Sequence, residues 1–334
     1  MELPQILPDN GAEWTLICDA ISSSPNRTPF MLLPFMPLTW IRAKRQMRIA
    51  QAYGRSWLQG HRRHYSRIQI APPPHHHHPP QFPHCWSQFQ TPIPYSPNAP
   101  ETNQNRRHNV QLACDRIQGL QLQPGQIFSF WHRVPRPTVA QGFRAGPAFR
   151  RGQIVQEVGG GLCLVSTNLF NSLLGAGCQV LERHNHSIDP YGDRRFFPQG
   201  QDATVYYGYK DLVLRNTSPS SLWIGLAIRV NSPEPNRGED DGPGDHPETL
   251  ALVSQIWGSA PPSHEVRIVS QVEEELPAPE PGGMPGWRVS TRRQIRCRSP
   301  RDDTPNPWHT DYETQSLYQP CGFSYYGETG GTDP

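Results

Sequence analysis

Apolar positions in the middle of the chain follow two alternating periods. Val110, Ala113 and Ile117 recur at helical spacing and predict a helix over about residues 106–118. Pro124-Gly125 marks a turn, and Ile127, Phe128 and Phe130 predict a strand behind it. Apolar pairs at 148–149 and 154–155 flank Arg151-Gly152 as the arms of a hairpin. Helical spacing returns from Cys163 to Leu174, where Val165, Leu169 and Leu173, joined by Phe170 and Leu174, make a wide apolar face. Gly175 and Gly177 end that helix. Strands are predicted at 180–181, 203–209, 212–214 and 222–230. The last alternates cleanly, with Leu222, Ile224, Leu226, Ile228 and Val230 on one face. A sheet with one apolar face packed on a helix gives an α+β fold. The expected architecture is a mainly antiparallel sheet on a central helix that starts at a glycine-rich loop.

Two breaks interrupt the pattern. Residues 71–100 hold ten prolines and no Lys, Arg, Asp or Glu, so a linker or surface loop is expected there, without helix or sheet ladder. Residues 232–248 set Glu234, Glu239, Asp240, Asp241, Asp245 and Glu248 against a lone Arg237, which reads as a solvated acidic loop. Beyond it, 250–256, 265–272 and 287–297 are β-like, either extending the central sheet or forming an appended unit. The chain thus divides into a basic N-terminal segment (1–70), a Pro-rich linker (71–104), a core (105–230), an acidic loop (231–249), a C-terminal β-rich segment (250–325) and a tail (326–334).

Composition narrows the function classes. The 334 residues carry a net charge of +2, a balance that does not call for a nucleic acid partner. The local exception is residues 27–67, with nine Arg or Lys and no acid. They form either a solvated basic helical face or a helix lying on an anionic membrane surface. No stretch of eighteen apolar residues occurs, and Glu2, Asp9, Glu13 and Asp19 at the start do not make a signal peptide. The expected location is the cytoplasm or the inner membrane face. Seven cysteines without a C-x-x-C pair indicate neither a disulfide framework nor a zinc ribbon. The tract from His75 to His78 reads as a natural His/Pro segment, and no cofactor is expected.

The chemistry concentrates at Gly159-Gly160-Gly161-Leu162-Cys163. Three consecutive glycines cost backbone entropy, and they suit a sharp turn or a close approach of a ligand to the backbone. They run into a predicted helix start, where unpaired amides and the helix dipole would stabilise a Cys163 thiolate or an oxyanion. Gly159, Gly160, Gly161 and Ser166 are the candidate substrate-binding residues. Downstream, His184 and His186 fall at alternate positions of a strand, and either would serve as base for the thiol. Asp202 would orient that histidine. Two other readings stay open: a metal held by Cys163, His184 and His186, or a packing cysteine with histidines that merely fix a loop.

Several runs in order, PGQIFSFWHRV, GFRAGPAFRRGQIVQEVGGGLCLVSTNLFNSLL, ERHNHSIDP and GQDATVYYGYKDLVLRN, resemble the VanW family of proteins associated with B-type vancomycin resistance. The resemblance makes the core a VanW-like one. It implies a link to the cell envelope or glycopeptide resistance, with a peptidoglycan-related peptide or precursor as partner, and no defined reaction. The family pattern places a glutamine after the cysteine, where this chain has Leu164. If an enzyme, the protein would use Cys163 as nucleophile, His186 or His184 as base, Asp202 as orienting group and the Gly160–Gly161 backbone as oxyanion site, for acyl transfer or amide hydrolysis. The rival is a non-catalytic binding or scaffold module.

Overall fold

The computed structural model describes residues 60–72, 78–150, 153–189, 191–192, 195–230, 250–297 and 306–322, with scattered positions from 43 to 58. The acidic loop, the tail, His75 to His77 and most of the basic N-terminal segment lie outside the described residues. The chain divides into the units Met1–Gln46 and Met47–Pro334, and the elements below belong to the second.

In chain order they are β1 (His84–Pro92), α1 (Pro100–Ile117), β2 (Gln121–Leu122), β3 (Ile127–Ser129), a one-turn α2 (Phe130–Arg133), β4 (Ala145–Arg150), β5 (Gln153–Val158), α3 (Leu162–Gly175), β6 (Gln179–Glu182), β7 (Val213–Arg215), β8 (Leu222–Val230), β9 (Leu250–Gly258), β10 (His264–Leu276), β11 (Gly286–Cys297) and β12 (His309–Tyr318). Every pairing between these strands is antiparallel. The sheets run β1-β9-β8-β2, β3-β7-β6, β4-β5 and β10-β11-β12. The α+β architecture, mostly antiparallel strand with few helices, is the expected one.

Helix α3 is buried on all sides, beyond the one wide apolar face that its spacing predicts. Leu162, Leu164, Val165, Leu169, Phe170, Leu173 and Leu174 join the core cluster. The remaining sides bury Ser166, Thr167, Asn168, Asn171 and Ser172, and each finds a hydrogen bond. Asn168 Nδ2 donates to Thr91 Oγ1 at 3.0 Å and to the Leu252 carbonyl at 3.1 Å, and Asn171 Nδ2 donates to the Gln201 carbonyl at 2.9 Å. Such partners offset the cost of removing polar groups from water.

Three expectations differ from the structure. The Pro-rich stretch does contain a ladder strand, β1, paired with β9 over its length. Between Pro83 and Pro92 lie eight residues without proline, and an edge strand tolerates the proline at its end. Residues 203–209 form no strand: Tyr206 and Lys210 exchange backbone hydrogen bonds and close a turn. Strand β8 is covered on both faces at its start, because Trp223 is also fully buried and its indole donates to the Ile70 carbonyl at 2.8 Å. The C-terminal residues take both routes left open: β9 joins the central sheet, while β10, β11 and β12 form their own. Among the described residues no helix is long and apolar enough to cross a membrane.

Candidate active site

The glycine loop joins β5 to α3 in a shape that few residues allow. Gly161, the N-cap of α3, has φ 102°, and Gly159 has φ 95°, both in the region that favours glycine. A Cβ on Gly160 would collide with the backbone of Gly146 on β4. From α1, Asn109 clamps the loop: its Nδ2 donates to the carbonyls of Gly160 and Arg144, each at 2.9 Å, and its Oδ1 accepts from the Arg144 amide. These contacts set Cys163 in the first turn of α3.

The Cys163 sulfur lies 3.4 Å from the Thr204 hydroxyl and 3.7 Å from the Val205 carbonyl, and it hydrogen-bonds the His186 ring. Nδ1 of His186 meets Asp202 Oδ2 at 2.5 Å, which leaves the other ring nitrogen for the sulfur. The same carboxylate oxygen accepts from the His186 amide at 2.6 Å. Asp202 Oδ1 accepts from Arg183 Nη2 at 2.8 Å and from the Tyr318 hydroxyl at 2.5 Å. Asp202 is wholly buried, so all four donors act on it without competition from water.

Partners decide the charges here against burial. Burial works against the Asp202 carboxylate, but His186, Arg183 and Tyr318 outweigh it and hold its pKa at about 2. Burial likewise opposes charge on His186, yet Asp202 and Cys163 lift its pKa to about 10. Burial would raise the Cys163 thiol; hydrogen bonds from His186 and Thr204 and the imidazolium charge bring it below the ordinary thiol value. The arrangement favours a thiolate–imidazolium pair oriented by a carboxylate.

His184 lies elsewhere. Strand β6 ends at Glu182 after a register shift, so the face-sharing expected of His184 and His186 does not persist. His184 stays half-exposed, with Nε2 3.0 Å from Glu182 Oε1. Ser166 is buried, and its hydroxyl donates to the carbonyls of Cys163 and Ala203, tethering the segment that carries Asp202. The Gly160 amide already donates to the Glu157 carbonyl at 3.0 Å. An oxyanion would therefore fall to the amides of Gly161 and Cys163, for which the described backbone bonds show no carbonyl partner. Leu164 packs in the core cluster. Among the described residues no group of three His, Cys, Asp or Glu side chains could hold a metal ion.

Three contributors escape a reading of the sequence. Thr204 stands two residues after Asp202, and period-two spacing along an extended segment is a usable signal for it. Arg183 lies inside the ERHNHS run, beside the histidines that draw the eye. Tyr318 is 116 residues from Asp202 on a mostly polar strand, and no local signal marks it.

A helix-start cysteine, a histidine and a buried aspartate hydrogen-bonded in series define a protein with a thiol–imidazole–carboxylate centre on an α+β core. Residues 105–233, less than half of the chain, match the family model described as VanW like protein, so this segment is similar to that family. It is similar to the uncharacterized protein YoaR of Bacillus subtilis, at 35% identity over 116 residues, covering 34% of this chain and 37% of that protein. It is also similar to the vancomycin B-type resistance protein VanW of Enterococcus faecalis, at 30% identity over 129 residues, covering 37% of this chain and 46% of that one. The chain thus matches less than half the length of either relative. No solved structure matches it significantly.

Proposed function

We propose that Cys163 is the nucleophile of a thiol-dependent acyl transfer or amide hydrolysis on peptidoglycan-related peptides or their precursors. The observation that carries this reading is the continuous hydrogen-bonded series from the Cys163 sulfur through His186 to Asp202. The substrate class rests on the resistance named for the Enterococcus relative.

In this mechanism the Cys163 thiolate attacks the amide carbonyl carbon and forms a C–S bond. The carbonyl oxygen takes the negative charge and is held by first-turn amides of α3. Imidazolium His186 gives its proton to the leaving nitrogen, the C–N bond breaks, the amine departs and a thioester remains. Water or an acceptor amine then attacks the thioester, neutral His186 takes its proton, and the thiolate leaves. Asp202 keeps the ring in place throughout.

The test uses the full chain with purified peptidoglycan fragments, reading cleavage or transfer by mass spectrometry. Turnover should vanish in Cys163→Ser and fall by about 10²–10⁴-fold in His186→Ala, the range for a general acid–base group. His184→Ala should leave it nearly unchanged. Fragment binding that survives in Cys163→Ser, with no turnover in the wild type, would replace this reading by a non-catalytic binding module.

A further inference from the structure

The carboxylate of the site is held from outside the family segment. The family match ends at residue 233, yet two residues of β12 reach the Asp202 cluster. Ser316 and Tyr318 alternate with exposed neighbours along that strand and are both fully buried. The Tyr318 hydroxyl donates to Asp202 Oδ1 at 2.5 Å. Ser316 Oγ accepts from Arg183 Nη1 at 2.8 Å, while Arg183 Nη2 donates to the same carboxylate oxygen. The backbone of β12 and of Gln319 just past its end fastens the His186 segment as well. Asn185 Nδ2 donates to the Leu317 carbonyl at 2.9 Å, and the Gln319 amide donates to the Ser187 carbonyl at 2.7 Å.

We propose that Tyr318 is a positioning residue of the Cys163 site, assisted by Ser316 through Arg183, so that the working centre needs strand β12 as well as residues 105–233. The inference rests on the thiol–imidazole reading above. Its physical basis is the division of labour on Asp202: Oδ2 serves His186, and Oδ1 is pinned by donors that β12 supplies or steadies. Pinning Oδ1 removes the rotation of the carboxylate that would let Oδ2 drift from Nδ1. His186 then stays aimed at the sulfur and keeps it ionised. A structural role alone would set stability and leave the ionisation of Cys163 untouched.

The test is the pH dependence of Cys163 alkylation by iodoacetamide in the full chain, followed by peptide mass spectrometry. The charged or titratable groups around the thiol in this profile are His186, Asp202, Arg183 and Tyr318. In Tyr318→Phe the acid limb of the profile should move to higher pH by about half to one unit, which slows labelling about three- to tenfold near pH 6. The rate should rejoin the wild type at high pH. Gln315→Ala, an exposed neighbour on the same strand, should leave the profile in place. Ser316→Ala should shift it in the same direction by less, and it supplies the measurement should Tyr318→Phe fail to fold. A profile unmoved in folded Tyr318→Phe, or in Ser316→Ala where that is the variant measured, overturns the inference if His186→Ala still shifts it. No shift even in His186→Ala overturns the thiol–imidazole reading instead.

Discussion

Helix α3 has a cysteine near each end, and the two thiols are opposites. Cys163 sits in the first turn with its pKa lowered, while Cys178, just past the last turn, is pushed up to about 12. Cys178 is buried and Cys163 partly so, and burial acts on both thiols in the same direction. The difference lies in how each neighbouring cation is engaged. His186 bonds the sulfur of Cys163 directly, with a carboxylate behind it. Arg293 lies beside Cys178, but its Nη1 donates to the carbonyls of Cys178 and Leu174, at 2.6 and 3.2 Å, and its other nitrogens grip Asp311 at 2.8–2.9 Å. At one end a cation serves the thiol. At the other it caps the helix C-terminus and anchors the β10-β11-β12 sheet. A buried cysteine near a positive charge is therefore not reactive on that account; the cation must hydrogen-bond the sulfur itself.

The widest gap between the two ends should appear in thiol labelling. Thiolate populations differ tenfold per pKa unit, and Cys163 lies below the ordinary 9.0 while Cys178 stands at about 12, so at pH 7 native Cys163 should react with iodoacetamide more than about a thousandfold faster than Cys178. Comparable rates, measured by peptide mass spectrometry under native conditions, would erase the distinction.

Next in size is the helix-capping end. Arg293→Met strips the two carbonyls and the Asp311 carboxylate of their donor. Breaking a largely buried pair of this kind costs about 3 kcal/mol. Urea unfolding should show that loss, while Cys163 labelling in the folded variant stays at the wild-type rate. A change in Cys163 reactivity would mean that the two ends are coupled through α3.

The smallest effect belongs to acid. Asp202 falls from 3.8 to about 2 on folding, so its contribution is full above pH 3.8 and disappears as pH drops through 2. That contribution is about 2 kcal/mol. The stability gap between the wild type and Asp202→Asn should narrow steadily as pH falls from 4 toward 2. A gap that persists at pH 2 would show that the carboxylate is not ionised in the native site.

Much of this contrast can be read from the chain. The glycine triplet, the cysteine after it and the helical period through Leu174 locate the reactive end, because turn shape and helix propensity act over a few residues. The same runs locate the hairpin of β4 and β5, whose register pairs Phe149 with Ile154. The Pro-rich stretch misleads for a related reason: counting prolines over thirty residues hides the eight proline-free ones that make β1. The choice between His184 and His186 is not legible, since two positions apart on a strand they look equivalent. The choice depends on β6 losing its ladder at Glu182 and on Asp202 taking His186 by both ring and amide.

The sequence by itself determined the α+β class, the helix start at Cys163 and the presence of a candidate base and carboxylate within forty residues of it. These follow from interactions between near neighbours, which any stretch of chain carries with it. The tertiary structure alone decided which histidine meets the sulfur, that Thr204 stands beside it, and that Tyr318 closes on Asp202 across 116 residues. It also turned Arg293 away from a thiol toward carbonyls. Those contacts join segments with no local preference for one another. They form because burying the apolar faces of α3, β8 and β9 brings the polar groups together, and once out of water each of these groups is costly unless it finds a partner.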